Sequence, residues 1–325
     1  MSATVIRAGL DDESSLPPNV AGTAVTVGTF DGVHRGHLDL IGRLVRRARE
    51  LALPSLAVTF DPHPLAVVNA AAAPPLLTVG DEKLEVLAET GLDYLAVVTF
   101  TPALAALSAE EFVTRVLCAR FRMRDLLIGH DHGLGRERAG TADVLTALGA
   151  SHGFAVGVVE PVAAADGRWI SSTVIRRAVA GGDLAHAADF LGRPYSISGT
   201  VVPGEQRGRA LGFPTLNLSA PPEKKLLPPD GVYAVRVQTP RGAFGGMMSL
   251  GGRPTFGDDG RTIEAYLFDV SGDFYGQYVR VDVIKRLREI RRFPNAEALV
   301  AQIREDEVAA RISLTADAAQ RNLRG

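Results

Sequence analysis

Along the first part of the chain, short apolar runs alternate with segments of helical period. Ala24–Gly28, Ser55–Phe60, Tyr94–Phe100, Asp125–Gly129 and Phe154–Val162 are rich in Val, Leu and Ile, as expected of strands buried on both faces. Helical patterns lie between them, over His37–Leu51 and Asp81–Thr90. A further helix is opened by Ser108 with Glu111 three residues on, the spacing of a capping box. A last one, Ser172–Ala180, is stopped by Gly181 and Gly182. This α/β alternation predicts a doubly wound parallel sheet, which takes its ligands at the carboxyl ends of the strands.

After about Leu191 the texture changes. Tyr195–Val202, Val232–Val237, Gly245–Leu250, Ile263–Val270 and Tyr278–Ile284 follow in quick succession, separated by Gly- and Pro-rich turns. That pattern predicts an antiparallel β-barrel or sandwich. An amphipathic helix near Ala296–Ile312 closes the chain, with Leu299, Ile303 and Val308 as its expected apolar stripe. The boundary is expected near Ala187–Arg193, giving domains at 1–186 and 187–325. The alanine-rich Ala70–Pro75 stretch reads as a loop, and no internal repeat is visible.

The 325 residues suffice for two domains, and the 46% apolar content supports two cores. With a net charge of −2, no global positive field recruits nucleic acid or an anionic membrane. The basic Arg286–Arg292 stretch is short, so neither partner is expected. One cysteine, Cys118, leaves no intramolecular disulfide or multi-cysteine zinc site; its apolar helical neighbours place it in a core. Met1 to Pro18 is acidic and polar where a signal peptide needs an apolar stretch. No segment approaches the roughly 18 apolar residues of a membrane helix. A soluble, cytoplasmic chain is expected.

The most informative segment is Val27-Gly28-Thr29-Phe30-Asp31-Gly32-Val33-His34-Arg35-Gly36-His37, where the first strand gives way to the first helix. Gly28, Gly32 and Gly36 let the backbone turn tightly and approach a ligand. The helix amino end then offers N–H groups and partial positive charge to a phosphate. His34 and His37 can lie on one side of that turn and donate to phosphate oxygens; in nucleotidyl transfer such donors stabilise the charge developing at the α-phosphorus. The whole turn, Gly28, Phe30, Asp31 and Gly36 included, is the candidate nucleotide-binding segment. A zinc site would need a third protein ligand, and the chain has only seven histidines. Neither a GxGxxG fingerprint nor a GxxxxGK[ST] loop is present.

Two more segments belong to the same sheet edge. Ile170-Ser171-Ser172-Thr173-Val174-Ile175-Arg176 opens a helix with hydroxyl groups and an early arginine. A cation there opposes the helix dipole, a penalty that a bound polyphosphate offsets. Ile128-Gly129-His130-Asp131-His132-Gly133-Leu134-Gly135-Arg136 leaves its strand in the same direction, with glycines that suit a nucleotide-facing loop.

In the second half, Gly208 to Asn217 reads G-R-A-L-G-F-P-T-L-N. If Pro214–Leu218 is extended, Thr215 and Asn217 share a face and can offer two oxygens to Mg²⁺. The stretch from Gly204 to Gly212 can cover a nucleotide. By itself the segment reads as a turn leading into an edge strand. In an extended Thr262–Val270, Glu264 shares a face with Tyr266 and Phe268, an arrangement suited to a flat ring whose side chain carries a hydroxyl. Glu264 can act there as general base. Alternation alone favours a solvated glutamate on an exposed sheet face.

The G-T-F-D-G-V-H-R-G-H segment, T-F-D-P-H-P at Thr59–Pro64 and I-S-S-T-x-x-R at Ile170–Arg176 resemble prokaryotic bifunctional riboflavin kinase/FAD synthetase. The resemblance runs over nearly the whole chain in that family's order. It implies an N-terminal FMN adenylyltransferase of nucleotidylyltransferase type, with His34, His37, Ser172, Thr173 and Arg176 on the ATP phosphates. G-F-P-T-L-N resembles the family's G-x-P-T-A-N, implying that Thr215 and Asn217 hold Mg²⁺-ATP, and the Glu264 segment is similar to the strand bearing the family's catalytic base. G-D-F-Y-G at Gly272–Gly276 and L-R-x-x-x-x-F at Leu287–Phe293 match as well. The implied fold of this half is a six-stranded barrel with a terminal helix. The expected partners are riboflavin, FMN, FAD and ATP. Two departures stand out. The family loop G-x-[DN]-F-x-F-G reads G-H-D-H-G-L-G here, keeping Asp131 and Gly135 but losing both aromatics, at His132 and Leu134; and Leu216 replaces an alanine. Two alternatives remain open at this point: an active kinase beside a degenerate first half, or a flavin-binding protein without chemistry.

Overall fold

The computed structural model describes residues 3–10, 16–130, 132–164, 167–204, 208, 211–221, 224–252 and 261–322. The chain groups into two compact units, dividing in sequence between Ser172 and Thr173.

The first unit runs β1 (Thr4–Ala8), β2 (Thr23–Val27), α1 (Arg35–Glu50), β3 (Ser55–Asp61), α2 (Pro64–Val68), α3 (Asp81–Ala88), β4 (Tyr94–Thr99), α4 (Pro102–Ala105), α5 (Ala109–Phe112), β5 (Met123–Gly129), α6 (Ala142–His152) and β6 (Ala155–Val159). The strands pair in parallel in the order β1-β4-β3-β2-β5-β6. Successive side chains of a strand point to opposite faces, and here both faces are apolar. Val25, Val27, Leu56, Val58, Leu126 and Ile128 feed one core. Ala24, Ala57, Leu95, Val97 and Leu127 feed the other, beneath Leu40, Ile41, Leu44 and Val45 of α1. This two-sided burial is why the strands read as continuous apolar runs. The chain extends the sheet on one side of β2 through β3 and β4, then on the other through β5 and β6. The carboxyl end of β2 is therefore the switch point.

The Ser108–Glu111 capping box is present, with Glu111 N–H donating to Ser108 Oγ at 3.1 Å and Ser108 N–H to the Glu111 carboxylate at 2.8 Å. The helix it opens passes into a π turn at Val113–Cys118, and Cys118 lies half-buried against the core. β1 and α6 are absent from the sequence-based pattern for a physical reason. β1 is an edge strand burying only Ile6 and Ala8, and α6 buries only Leu145 and Gly149. Neither supplies a periodic apolar stripe.

The second unit carries α7 (Ser172–Ala180) from its second residue onward, then α8 (Leu184–Leu191), the strands β7 (Tyr195–Val202), β8 (Thr215–Leu218), β9 (Gly231–Thr239), β10 (Gly242–Gly252), β11 (Arg261–Leu267) and β12 (Tyr278–Arg288), and α9 (Ala296–Asn322). The strands close into an antiparallel barrel in the order β10-β11-β8-β7-β12-β9. The barrel, and not the sandwich, is formed. The expected boundary at 186/187 falls inside α8, whose buried Leu184, Ala187, Phe190 and Leu191 accompany its packing on β7 and β12.

α9 covers β9, β10 and β12, with Ala310, Ile303 and Leu314 against Ala234, Met247 and Phe268. Here the expected stripe needs correction, because Val308 is 60% exposed. The buried positions step through Ile303, Asp306, Ala310 and Leu314, three or four residues apart as a helix face requires. The seat that an apolar reading gives to Val308 belongs to Asp306, 4% exposed. Its carboxylate takes a bidentate pair from Arg288 at 2.8–3.0 Å and a bond from Gln302 at 2.9 Å.

Candidate active sites

In the first unit, β2 delivers the glycine turn to the switch point. Gly28 N–H still belongs to the sheet, donating to Val58 O at 3.0 Å. The chain then bends through left-handed backbone at Phe30 (φ 48°), Gly32 (82°) and Val33 (41°). The two non-glycine positions cost on the order of 1–3 kcal/mol each, and both side chains are buried in the core with α1. Glycine at 28 suits this fold-back, since a Cβ would stand 3.0 Å from the Phe30 ring.

Five further hydrogen bonds pin the turn. Asp31 Oδ1 accepts from Leu77 N–H at 2.9 Å and Thr78 N–H at 3.1 Å. Gly32 N–H donates to Thr78 Oγ1 at 3.0 Å. Ser172 Oγ donates to Asp31 O at 2.9 Å, joining the I-S-S-T segment to the turn. Thr29 O accepts from Thr59 Oγ1 at 3.2 Å. Phe30 and Asp31, expected at the nucleotide, thus use their side chains to fix the loop.

On this base stand the histidines. His34 caps α1, its Nδ1 accepting from His37 N–H at 3.4 Å. An accepting Nδ1 places the proton of a neutral imidazole on Nε2, making that nitrogen a donor. The His34 and His37 rings stack at 3.6 Å and 16°, and Phe30 meets His37 edge-on at 5.3 Å. A Cβ on Gly36 would lie 3.2 Å from the His34 ring, so glycine lets the ring lie across the first turn. That turn carries no acidic residue, and the positive helix end is uncompensated from within.

Ser172, Thr173 and Arg176 open α7 as expected; Ser172 and Arg176, four apart, share one helix face. Asp131 lies outside the described residues. The described residues on either side of it are anchored: His130 N–H donates to Val159 O at 3.1 Å, Gly135 (φ 72°) brings its backbone so close to α5 that a Cβ would be 2.6 Å from Ala109 N, and Arg136 N–H donates to Leu107 O at 2.8 Å. Leu134 is buried in the sheet core and bridges to Gly140. At this position the missing aromatic is replaced by another core side chain, so the loop keeps its anchor.

In the barrel the register settles which side chains share a face. Glu264 pairs with Asn217 and Tyr266 with Thr215 across β11 and β8. Directly opposed residues point the same way. The buried set, Leu218, Ile263 and Ala265, points the other way, into the barrel. Leu216, opposite Ala265, faces that interior and not the polar side. Asn217 is held closely from above: a Cβ on Gly204 would fall 2.1 Å from its amide nitrogen. The turn beyond is tied by Leu211 and Phe213 N–H groups donating to Gly208 O at 3.1 and 2.8 Å, with Gly212 left-handed at φ 87°. Arg209 and Ala210 lie outside the described residues. Tyr266 is half-buried between Phe213 at 5.4 Å and Phe268 at 5.7 Å, and burial raises its phenol pKa. Phe268 is committed to the cluster under α9, with Arg311 over its ring at 4.4 Å.

A hydroxyl and an amide oxygen form an oxygen donor set that fits a hard divalent cation. Among the described residues no group of three or more His, Cys, Asp or Glu side chains could hold a metal ion. An ion held by Thr215 and Asn217 would leave most of its ligands to water and nucleotide phosphate, the usual habit of Mg²⁺.

The sequence model of FAD synthetase matches residues 16–174, and that of riboflavin kinase matches residues 191–314. The bifunctional riboflavin kinase/FMN adenylyltransferase of Escherichia coli K12 is 38% identical over 307 residues, spanning 93% of this chain and 96% of the relative. The chain belongs to the bifunctional riboflavin kinase/FMN adenylyltransferase family. Its Pseudomonas fluorescens relative is 37% identical over 308 residues, covering 94% of this chain and 97% of its own length. A solved Streptococcus pneumoniae structure, named a macrolide-efflux protein, is similar with a TM-score of 0.81 and 31% identity, covering 94% of this chain and 98% of that one; the efflux role in its name stays with that protein. Among the described residues no helix is long and apolar enough to cross a membrane. Both enzymatic halves of flavin cofactor synthesis are present, one in each part of the chain. The alternatives of a degenerate first half or a binder without chemistry find no support.

Proposed function

We propose that the sequence before the barrel and the barrel each carry one of two successive reactions through the constellations described above. In the barrel, Glu264 takes the proton from the terminal hydroxyl of riboflavin, that oxygen attacks the γ-phosphorus of ATP, and FMN and ADP result. Thr215 and Asn217 would hold Mg²⁺, which when bound screens the phosphate charge. Gly204 and Gly208 lie close to Asn217 and Thr215. In the parallel-sheet unit, a phosphate oxygen of FMN attacks the α-phosphorus of ATP, diphosphate leaves, and FAD forms. His34 and His37 donate to the α-phosphate oxygens, where charge gathers in the transition state. Ser172, Thr173 and Arg176 take the remaining phosphates, and the Gly129–Gly135 loop, with Asp131, borders the nucleotide. Adenylyl transfer is assigned to the sequence before the barrel and phosphorylation to the barrel. ATP is an intracellular substrate, and the reactions are placed in the cytoplasm.

The observation that carries this reading is the cross-strand pairing of Glu264 with Asn217 and Tyr266 with Thr215, which sets base and metal ligands side by side. Incubation with riboflavin, ATP and Mg²⁺, followed by separation of the flavins, tests it. FMN appearing first and FAD after it is expected; FMN alone would contradict the assignment of the first unit, and neither product would contradict both.

A further inference from the structure

Lys83 lies in the first turn of α3, where a cation opposes the helix dipole. It is also largely desolvated, and burial lowers its ammonium pKa while Asp61 and Asp31 pull it back up. A methionine would fill such a seat without either penalty, so the retained charge calls for a role. Its contacts supply one. The ammonium has three donors, and three acceptors surround it: Phe60 O at 3.0 Å, Thr59 Oγ1 at 3.1 Å and Thr29 O at 3.5 Å. Phe60 lies at the carboxyl end of β3, and Thr29 immediately precedes the left-handed Phe30 at the end of β2. Thr59, fully buried, donates its own hydroxyl proton to the same Thr29 carbonyl.

We infer that Lys83 is a positioning residue for adenylyl transfer, a buried clamp that fixes the Thr29 carbonyl and with it the His34–His37 turn. Because its donors are taken up by protein acceptors, it does not reach for substrate phosphate. It also sets a cation against two carbonyl dipoles at the strand ends. The inference rests on the reading of the first unit as the adenylyltransferase.

Lys83→Met in the full chain keeps the apolar stem and removes the charge. With FMN, ATP and Mg²⁺, its kcat for FAD formation should fall roughly 10–100-fold, the scale of a small misplacement of catalytic groups. Its KM for ATP should stay within about threefold of wild type, since substrate binding is not what it supplies, and FMN formation from riboflavin should be unchanged. A raised KM with preserved kcat would mean that Lys83 holds substrate and would overturn the proposal, as would wild-type values of both. Wild-type protein that makes no FAD would instead remove the adenylyltransferase reading itself. If the first unit of Lys83→Met does not fold, Thr59→Val decides: a kcat loss of about 3–10-fold at unchanged KM supports the clamp, and wild-type kcat overturns it.

Discussion

At the scale of single residues, the role proposed for Glu264 is the most demanding, because a base there must remove a proton while its neighbours hold the nucleotide. Glu264→Gln keeps volume and removes basicity; kcat for FMN formation should fall roughly 10²–10⁴-fold with flavin affinity largely retained. Steady-state kinetics beside a flavin-binding titration check this, and lost affinity with normal turnover of bound flavin would reassign Glu264 to binding. Gly204 makes a geometric claim: a methyl group there would meet the Asn217 amide at 2.1 Å. Gly204→Ala should displace Asn217, so a magnesium titration should show weakened Mg²⁺-ATP use like that of Asn217→Ala, while near wild-type curves for both would remove Asn217 from the metal site. The candidates His34, His37, Thr215, Asn217 and Glu264 can be picked out in sequence because each sits in a local motif. Lys83 and Thr78 sit in none of these motifs, because their contacts exist only once β2, β3 and the segment leading into α3 come together. The side chains of Phe30 and Asp31 work inward on the fold: one fills the core, the other binds the amides of Leu77 and Thr78.

At the scale of elements, α9 shows where reading apolar periodicity misleads. The buried stripe contains Asp306, paired bidentately with Arg288, and a charged residue at a core position makes the pattern slide to Val308. Removing one partner of a buried pair strands the other, so Asp306→Ala should destabilise the barrel unit by about 3 kcal/mol. Val308→Ser, at a position 60% exposed, should stay within about 0.5 kcal/mol of wild type. Urea unfolding of the two variants separates these expectations, and equal midpoints would contradict the assigned stripe. The Arg288–Asp306 pair also explains the L-R-x-x-x-x-F segment: its arginine holds the terminal helix, with the Phe293 ring near the same guanidinium at 5.6 Å. The central strands are readable because both faces are apolar, whereas β1 and α6 bury too little to leave a pattern.

At the scale of the whole molecule, the claim is that two chemistries reside in two separately built units. The change of texture near Leu191 reveals two domains, but α8 packs on β7 and β12, which sequence periodicity does not show. A fragment beginning at Thr173 should therefore phosphorylate riboflavin without making FAD. One beginning at Ala187, which cuts α8, should do so with a lower melting temperature; an equal melting temperature would contradict the role of α8. The most direct test of the central claim is a time course of flavins made by full-length His34→Ala from riboflavin, ATP and Mg²⁺. The variant loses the donor proposed for the α-phosphate and leaves Thr215, Asn217 and Glu264 unchanged. FAD formation should slow roughly 10²–10³-fold, the cost of deleting one preorganised donor, while FMN accumulates at the wild-type rate. Loss of FMN formation in a folded His34→Ala protein would contradict the account and require one active site for both reactions.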